Sequence, residues 1–319
     1  MNKKTGILLL DFGGPDSLSA VRPFLQNLFS DRFILPFPVL IRKPLAWWIA
    51  KKRTPEVSHQ YAEIGGKSPL PEQTRALAVH LEYTLKEKGK SVPVYYGMRY
   101  WHPLIKETWE KILADGVTDL TVIPLFPQFS YATTGSVFRE LDKAQKKYGE
   151  GKIKISKVEH WYQHPKFTNV WLEAIRTGLK KFSNAEGAHL FFSAHSLPVK
   201  WVIEKYNDPY PEQIRESVEK IIALMEWKGP WHLAFQSKMG PVEWLGPATI
   251  ELSKDLAKQG MKKVLFVPIS FVSDHIETLF ELEKWVIPEA KQWGLEEGFL
   301  TAPIIKQQKF VELLCDLIP

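Results

Sequence analysis

Short apolar runs alternate with amphipathic stretches along the chain, and this alternation constrains the fold more than any other feature of the sequence. In the amphipathic stretches apolar residues recur one turn apart, as at Leu77, Leu81 and Leu85, which is typical of helices. Strands that alternate with helices form parallel sheets covered by helices on both faces. The apolar runs predict eight such strands, at residues 5–11, 92–97, 120–125, 153–158, 189–193, 232–235, 264–268 and 298–302.

The predicted strands fall into two groups of four, so the sequence predicts an α/β fold with two doubly wound, Rossmann-like domains. Each domain has a four-stranded parallel sheet flanked by helices. Residues 1–160 are predicted to form the N-terminal domain and residues 161–302 the C-terminal domain. A helix predicted at 306–317 packs back on the first domain, so that residues 303–319 complete it. The stretches "VIPLFPQFS" from Val122 and "FVPISFVSD" from Phe266 match each other, which is weak evidence for an internal duplication.

Composition excludes several classes of protein. The single cysteine, Cys315, allows neither an intrachain disulfide nor a cysteine-built zinc or iron–sulfur site, so a metal would be held by nitrogen and oxygen. The net charge is +6, but the lysines are scattered between acids and no nucleic-acid-binding motif is present. No uncharged run of about 20 residues could span a bilayer, and the apolar stretch near the N-terminus is too short for a signal peptide. We therefore expect a cytoplasmic protein that binds no nucleic acid.

The loops that follow the predicted strands carry the chemistry of the chain. Ligands of open parallel sheets bind beyond the carboxyl ends of the strands. "DFGGPDS" lacks both the G-x-G-x-x-G pattern and the Walker spacing, so a dinucleotide site is not favoured. Aromatic residues, an arginine, two histidines and carboxylates gather on the same rim, in "MRYWHP", "PQFSYATTGS", "SAHSLP", "QSKMGPVEWLGP" and "SFVSDHIETLFELE".

His195 and Glu277 are the side chains from which a reaction is most readily built. His195 ends one predicted strand and Glu277 opens the helix after another, so the fold can bring them face to face. An imidazole and a carboxylate accept protons or bind a borderline metal such as Fe(II), Co(II) or Zn(II), and two ligands hold it weakly enough to pass it on. Glu281 lies four residues after Glu277, where like charges repel on a helix. The alternative for the acids is a solvent-exposed helix face, with Asp274 as the N-cap residue in capping-box spacing with Glu277. The alternative for His195 is a histidine buried in the core.

Several long motifs, in the same order, resemble those of ferrochelatases, the terminal enzymes of haem synthesis. These are "DFGGPD", "KKRTP", "QYAEIGGKSPL", "GMRYWHP", "PQFSYATTGS", "FFSAHSLP", "NDPYP", "FQSKMGPVEWLGP" and "FVSDHIETLFELE", and they cover nearly the whole chain. The resemblance implies a lyase with an active-site cleft between its two domains, which inserts Fe(II) into protoporphyrin IX and releases two protons. It implies that His195, with Glu277 as its partner across the cleft, binds the metal, deprotonates the pyrroles or does both. It also implies that Asp274, His275 and Glu281 join them in catalysis by moving metal or protons.

The resemblance also implies which residues hold the porphyrin. A planar macrocycle needs an aromatic and aliphatic cleft with few polar anchors, and its propionates need hydroxyl or guanidinium partners. For Ser68 the alternative is an ordinary turn, and for Arg53 a surface charge; Arg99 is expected to support the histidine's side of the site. The predicted porphyrin-binding residues are the aromatic Phe12, Tyr61, Phe129, Trp161, Phe235 and Trp244 and the polar Arg53, Ser68, Arg99 and Ser130.

Residues 35–53 combine apolar residues, the paired Trp47 and Trp48 and a basic end, as in segments that lie at a lipid headgroup interface. The matching region of ferrochelatases, here about 33–53, is a lip over the cleft, so the resemblance implies a peripheral membrane contact. The alternative is a buried helix whose basic end complements its dipole. With Fe(II) as a substrate, we expect no permanently bound cofactor, no iron–sulfur cluster, and a monomer rather than a dimer.

Three other functions are consistent with the same motifs: a coproporphyrin III ferrochelatase, a non-catalytic porphyrin or haem carrier, and a cobalt or nickel tetrapyrrole chelatase. "QSKMGP" and "HIETLFELE" are closer to the protoporphyrin branch. A carrier would not need the series Glu277 and Glu281, and cobalt or nickel chelatases place histidines on both sides of the metal. Trp285 stands where some relatives of the ferrochelatase family have a further acid, so the series of acids in this chain is expected to end at Glu281.

Overall fold

The computed structural model describes residues 4–149 and 151–319, which form two four-stranded sheets in which all neighbouring strands are parallel. The predicted α/β fold with two parallel sheets is therefore confirmed, and every strand bound lies within two residues of its predicted position. The first sheet, in the order β2-β1-β3-β4, contains β1 (Thr5–Asp11), β2 (Val94–Met98), β3 (Asp119–Pro124) and β4 (Lys154–Lys157). The second, in the order β6-β5-β7-β8, contains β5 (His189–His195), β6 (Trp231–Gln236), β7 (Lys263–Val267) and β8 (Glu297–Leu300).

Amphipathic helices cover these sheets, as their apolar periodicity predicts. The helices of the first half are α1 (Val21–Phe29), α2 (Val39–Glu63), α3 (Leu70–Glu87), α4 (Ile105–Ala114) and α5 (Ser136–Tyr148). Those of the second half are α6 (Pro165–Leu179), α7 (Tyr210–Met225), α8 (Thr249–Lys258), α9 (Ile287–Gln292) and α10 (Gln308–Asp316). Three wider π-helical segments, Tyr131–Gly135, Val199–Glu204 and Glu277–Val286, and two short 3₁₀ turns, Leu18–Ala20 and Ile304–Lys306, complete the helical structure of the described residues.

The chain divides into two compact units, Met1–Trp161 with Ile305–Pro319, and Tyr162–Ile304. The sequence places these divisions at 160/161 and 302/303, within two residues of the observed ones. Helix α10 belongs to the first unit and packs on α3. Trp161, predicted for the porphyrin wall, is instead a core residue, because its ring packs on Phe310 of α10 and its indole N–H donates to the Pro124 carbonyl at 2.9 Å.

The two sheets have the same strand order, so β3 and β7 occupy equivalent positions in their units. The two matching stretches of sequence, from Val122 and from Phe266, lie on these equivalent strands. Each strand is followed by a loop and a π-helical segment, Tyr131–Gly135 after β3 and Glu277–Val286 after β7. Single-turn π insertions are often found at functional sites because they re-aim side chains. The match therefore marks corresponding structural positions.

Helix α2 exposes its apolar side chains, so the buried-helix alternative for residues 35–53 is wrong. Leu40 is 86% exposed and Ile41 56%. Trp47 and Trp48 are also exposed, and the ammonium groups of Lys51 and Lys52 lie 5.3 and 4.5 Å from their respective ring centroids. Among the described residues, no helix is both long enough and apolar enough to cross a bilayer.

Candidate active site

The side chains of the predicted metal site meet at the carboxyl ends of three neighbouring strands of the second unit. His195 is the last residue of β5, and Ser237 follows directly after β6. Glu277 begins the π-helical segment that follows the loop after β7. The chain turns in opposite directions from β5 towards β6 and from β5 towards β7, which is the arrangement that opens a ligand crevice in doubly wound sheets.

His195 is held both by its ring and by its backbone. Its Nδ1 lies 2.8 Å from the Glu277 Oε2 atom. Its backbone N–H donates to the Ser270 hydroxyl at 3.1 Å, and its carbonyl oxygen accepts from the buried Tyr210 hydroxyl at 3.0 Å. Because Nδ1 faces the carboxylate, the opposite ring nitrogen, Nε2, is directed away from it. This nitrogen is therefore the one available to a metal or to a pyrrole proton.

Ser237 links the two glutamates of the site. Its hydroxyl lies 2.9 Å from Glu277 Oε2 and also contacts Glu281 Oε2, while its backbone N–H donates to Glu281 Oε1 at 2.8 Å. The φ angle of Ser237 is 66°, a left-handed conformation that costs a non-glycine residue about 1 kcal/mol. This conformation directs both donors to the acids. The Ser237 hydroxyl has a single proton. When it donates that proton to Glu277, its contact with Glu281 is a hydrogen bond only if the Glu281 carboxyl is protonated and donates to the hydroxyl oxygen.

Burial and the neighbouring charges set the proton affinities of the site. Burial opposes the charged form of His195, but the carboxylates of Glu277 and Glu281 outweigh it and raise the pKa of the imidazole. Burial likewise opposes the charged form of Glu277, but the charge and hydrogen bond of His195 hold the pKa of that carboxyl below its usual value. For Glu281, burial and then the charge of Glu277 raise the pKa to about 7. The site thus pairs an imidazole of raised pKa with a carboxyl of lowered pKa, beside an acid whose pKa is about 7.

His275 lies in the loop just before the π-helical segment, with its ring 4.3 Å from the ring of Phe271. Within the described part of the chain neither of its ring nitrogens has a hydrogen-bond partner. Burial lowers the pKa of His275, although the charges of Glu277 and Asp274 oppose the shift. The ring is therefore neutral near pH 7.

The acidic stretch does not form the capped, solvated helix face that was the alternative to a metal site. The π-helical segment begins at Glu277 with Ile276 as its N-cap, so Asp274 lies in the loop and is not the cap. The Glu277 carboxylate contacts His195 and Ser237 instead of completing a capping box. This alternative is wrong, because the chain uses that side chain to bridge two strand ends.

The predicted anchors Tyr61 and Ser68 lie together in the first unit, at the glycine-rich loop after β1. Both are buried, and the Ser68 backbone N–H donates to the Pro15 carbonyl at 2.8 Å. A Cβ atom on Gly14 would overlap the Ser68 hydroxyl and lie 3.8 Å from the Tyr61 hydroxyl. The glycine is needed for this close approach. The half-buried Phe12, two residues earlier, packs its ring 5.2 Å from that of Tyr100 and 4.8 Å from that of Phe126.

Arg99 is engaged by the protein itself. Its guanidinium donates to Asp31 at 2.7 Å and to the Ser136 hydroxyl at 2.8 Å, and the Tyr100 hydroxyl donates to the same carboxylate at 3.0 Å. Burial would raise the pKa of Asp31, but the charge of Arg99 and these hydrogen bonds hold it below its usual value. Arg99 thus forms an internal ion pair, and the porphyrin contact predicted for it stays a prediction.

The remaining predicted porphyrin residues are spread over both units. Arg53 is half-buried on α2. The ring of Phe129 lies edge-on to Tyr131 at 5.2 Å, and Ser130, fully buried, accepts from the Ala132 backbone N–H at 3.1 Å and so begins the π-helical segment. In the second unit Phe235 is buried in β6, and the half-buried Trp244 donates its indole N–H to the Met239 carbonyl at 2.9 Å.

Sequence reasoning missed the residues that organise the metal site, namely Ser237, Ser270 and Tyr210. All three stand inside stretches that had been noticed, Ser237 in "FQSKMGP", Tyr210 in "NDPYP" and Ser270 in "SFVSDHIETLFELE". Their hydroxyl groups, placed in the segments that follow the strands, were the sequence feature that could have identified them, because hydroxyls can hydrogen-bond to charged neighbours and orient them. In the described part of the chain, no group of three or more histidines, cysteines or acids is placed to hold a metal ion. That His195 and Glu277 bind a metal as a pair stays a prediction, and their contact at 2.8 Å is consistent with it.

Comparison with known proteins identifies the family of the chain. Residues 4–319 match the family model Ferrochelatase. The chain is 43% identical over 319 residues to the ferrochelatase of Synechococcus elongatus, covering 99% of this chain and 82% of that protein. It is 42% identical over 316 residues to the ferrochelatase of Aquifex aeolicus, covering 99% and 98%.

Solved structures agree at the level of the fold. SirB from Bacillus subtilis with Fe3+ aligns over 98% of this chain and 95% of its own, with a TM-score of 0.54 at 14% identity. Such low identity supports the fold alone. The family match over nearly the whole length and the two relatives above 40% identity carry the assignment of family. The chain belongs to the ferrochelatase family and is a metal chelatase, a lyase that acts on iron and a porphyrin.

Proposed function

We propose that this chain inserts Fe(II) into protoporphyrin IX to form protohaem, with His195 and Glu277 as the groups that meet the metal and the pyrrole protons. The contact of 2.8 Å between them is the observation that carries the proposal. The contact brings together an imidazole, which can act as a base near neutral pH, and a carboxyl group from the ends of two strands. The second imidazole nitrogen remains available to a substrate. No permanently bound cofactor and no iron–sulfur cluster are part of the proposal, since iron is the substrate.

The hydrogen bonds of the site support a route for the two protons that leave the macrocycle. A pyrrole proton passes to the unprotonated Nε2 of a neutral His195 ring as the Nδ1 proton of the same ring passes to Glu277. That proton leaves through Glu277 to the Ser237 hydroxyl and then to Glu281, whose pKa near 7 allows it to release the proton to solvent at neutral pH. Asp274 and the neutral His275 lie at the near end of this series and would adjust its charge.

A membrane contact belongs to the same proposal. The apolar side chains and tryptophans of α2 are exposed beside lysines, as expected of a segment that rests among lipid headgroups. A porphyrin is poorly soluble in water, so this surface would let the substrate pass from the membrane to a cytoplasmic enzyme. We further propose that the chain works as a monomer.

Anaerobic spectrophotometric assays with Fe(II) and protoporphyrin IX test the reaction. His195→Ala should abolish metal insertion while porphyrin binding, followed by fluorescence, is retained. Glu277→Gln should lower turnover on the order of 100-fold, the range of one acid–base group. The control His80→Ala changes an exposed histidine of α3 and should keep full activity. Near-native insertion by His195→Ala would refute the assignment, and a higher rate with coproporphyrin III than with protoporphyrin IX would assign the chain to the other substrate branch.

A further inference from the structure

Two histidines outside the candidate active site contact each other directly in the second unit. Nδ1 of His189 lies 2.9 Å from Nε2 of His232. His189 begins β5, and His232 is the second residue of β6, the strand at the edge of the sheet. In the register of the two strands His232 pairs with Phe191, and residues 189 and 191 share a face of the sheet, so both imidazoles lie on that face. We refer to His189 and His232 as the histidine pair.

The histidine pair is remote from the candidate active site. His189 and His195 are the two ends of β5, and a strand rises about 3.3 Å per residue, so about 20 Å separates them. The pair lies at the amino ends of its strands, whereas His195, Ser237 and Glu277 lie at or beyond the carboxyl ends. Neither member of the pair stands in a motif that resembles those of ferrochelatases. A role of the pair is therefore separate from iron insertion.

Both rings of the histidine pair are uncharged near pH 7, which is the state that binds a metal. Burial lowers the pKa of His189, and burial together with the charge of His189 lowers the pKa of His232 to about 4. No carboxylate of the described residues forms an ion pair with either ring. His195 differs, because two glutamates raise its pKa. The pair thus offers two neutral imidazoles.

The distance between the two nitrogens fits a metal that holds its ligands at a right angle. With metal–nitrogen bonds of about 2.0–2.1 Å, nitrogens 2.9 Å apart subtend about 90° at the ion, whereas a tetrahedral ion needs about 3.3 Å between them. Right angles are typical of the square-planar and tetragonal sites of Cu(II) and Ni(II). Without metal, one nitrogen donates a proton to the other; when an ion enters, that proton moves to the outer nitrogen of its own ring. Both side chains are half-buried, so the rings can turn until both lone pairs face the ion.

We propose that His189 and His232 form a second metal site, which binds Cu(II) or Ni(II) through one nitrogen of each imidazole. Water completes the coordination, since no group of three or more histidines, cysteines or acids is placed to hold a metal in the part of the chain that the structure describes. In the Irving–Williams order Fe(II) binds such ligands more weakly than Ni(II) or Cu(II), so the site takes up competing metals and not the iron substrate. The bound ion joins the edge strand β6 to β5 and so stabilises the folded state.

Equilibrium dialysis with Ni(II) tests the site, on the untagged chain carrying His195→Ala, which removes the imidazole of the candidate active site. This protein should bind one Ni(II) per chain. His189→Gln and His232→Gln, each added to it, should weaken binding at least about 10-fold, because changes outside the ligands themselves already cost about 10- to 100-fold. His80→Ala, added in the same way at an exposed histidine of α3, should change nothing.

A Cu(II) measurement on the His195→Ala protein does not depend on whether the glutamine variants fold. The electron paramagnetic resonance spectrum of one bound Cu(II) should show splitting from two nitrogens. Ni(II) should also raise the urea midpoint of unfolding, and His232→Gln should remove that rise. With His195 intact, His232→Gln should insert iron at the wild-type rate, because the pair is remote from the active site. A Cu(II) spectrum with fewer than two nitrogens, or Ni(II) binding that survives the loss of either histidine, would overturn the proposal.

Discussion

Replacing Asp11 by asparagine should stabilise the protein, and by a larger amount as the pH rises. Asp11 ends β1 and is 3% exposed. Its carboxylate accepts from the Phe12 backbone N–H at 2.7 Å and from the Thr74 hydroxyl at 3.1 Å. These bonds do not compensate for burial, which raises the pKa of Asp11 to about 7. Asparagine has nearly the same shape, keeps an oxygen for Phe12 and offers an N–H to Thr74.

The magnitude follows from the difference between the folded and unfolded pKa values. The pKa of Asp11 is 3.8 when unperturbed and about 7 in the folded protein. The folded state therefore holds a proton that the unfolded state has lost, so wild type loses stability as the pH rises from about 4 to about 7. One pKa unit corresponds to about 1.4 kcal/mol, so the full penalty is about 4 kcal/mol above pH 7. The advantage of the asparagine variant should grow by about 1.4 kcal/mol per pH unit between about pH 5 and 7, and then level off.

Urea titrations followed by tryptophan fluorescence, at several pH values, measure this difference in the free energy of unfolding. The slope with pH is the decisive quantity, since repacking by asparagine adds an offset that does not depend on pH. Asp16→Asn, at an exposed aspartate of the same loop, serves as the control and should follow wild type. A difference between Asp11→Asn and wild type that is flat, or that falls as the pH rises, would show that Asp11 does not carry a raised pKa.

Three further outcomes follow from buried polar groups. Asp31→Asn should lower the free energy of unfolding by about 3 kcal/mol in urea titrations, because it leaves the Arg99 guanidinium buried without its partner; stability equal to wild type would contradict this. Burial and the neighbouring His189 lower the pKa of His232 to about 4, so wild type should lose stability as the pH falls from about 6.5 towards 4. His232→Phe should remove about 1 kcal/mol of that loss, a figure reduced for the partial exposure of the ring, and an unchanged pH dependence would exclude this role. Ser237→Ala should lower kcat for iron insertion roughly 10-fold with little change in KM, because it breaks the link between the two acids, and Ser237→Thr should retain activity.

The sheets could be predicted from the sequence because their periodicity is local. Strands such as β1, with every residue from Gly6 to Asp11 buried, are continuous apolar runs, which is what a strand covered on both faces requires. Helix α3 was equally plain, since Leu77, Leu81 and Leu85 lie one turn apart and are all buried. The π-helical form of the segment after β7 was not predictable from the sequence. A π-helical segment differs from an α-helix in its backbone hydrogen-bond spacing, which the apolar pattern does not reveal.

The contact between His195 and Glu277 was predicted from the sequence, but the groups that organise it were not. His195 and Glu277 were paired by the topology of a doubly wound sheet, which brings the ends of β5 and β7 to one edge. Ser237 has a positive φ angle that no sequence rule assigns to a serine. The ion pair of Arg99 with Asp31, which joins residues 68 positions apart, was likewise beyond local patterns.

By itself the sequence determined which residues form strands and helices, and which loops carry histidines, acids and aromatics, because apolar spacing and residue chemistry act over a few positions. Only the tertiary structure decided the proton affinities of the site. Burial, the charge of Glu277 and the shared contact with Ser237 move the pKa of Glu281 from an ordinary carboxyl value to about 7. Desolvation and Coulomb interactions depend on distances between groups far apart in the chain, and those distances exist only once the strands have packed.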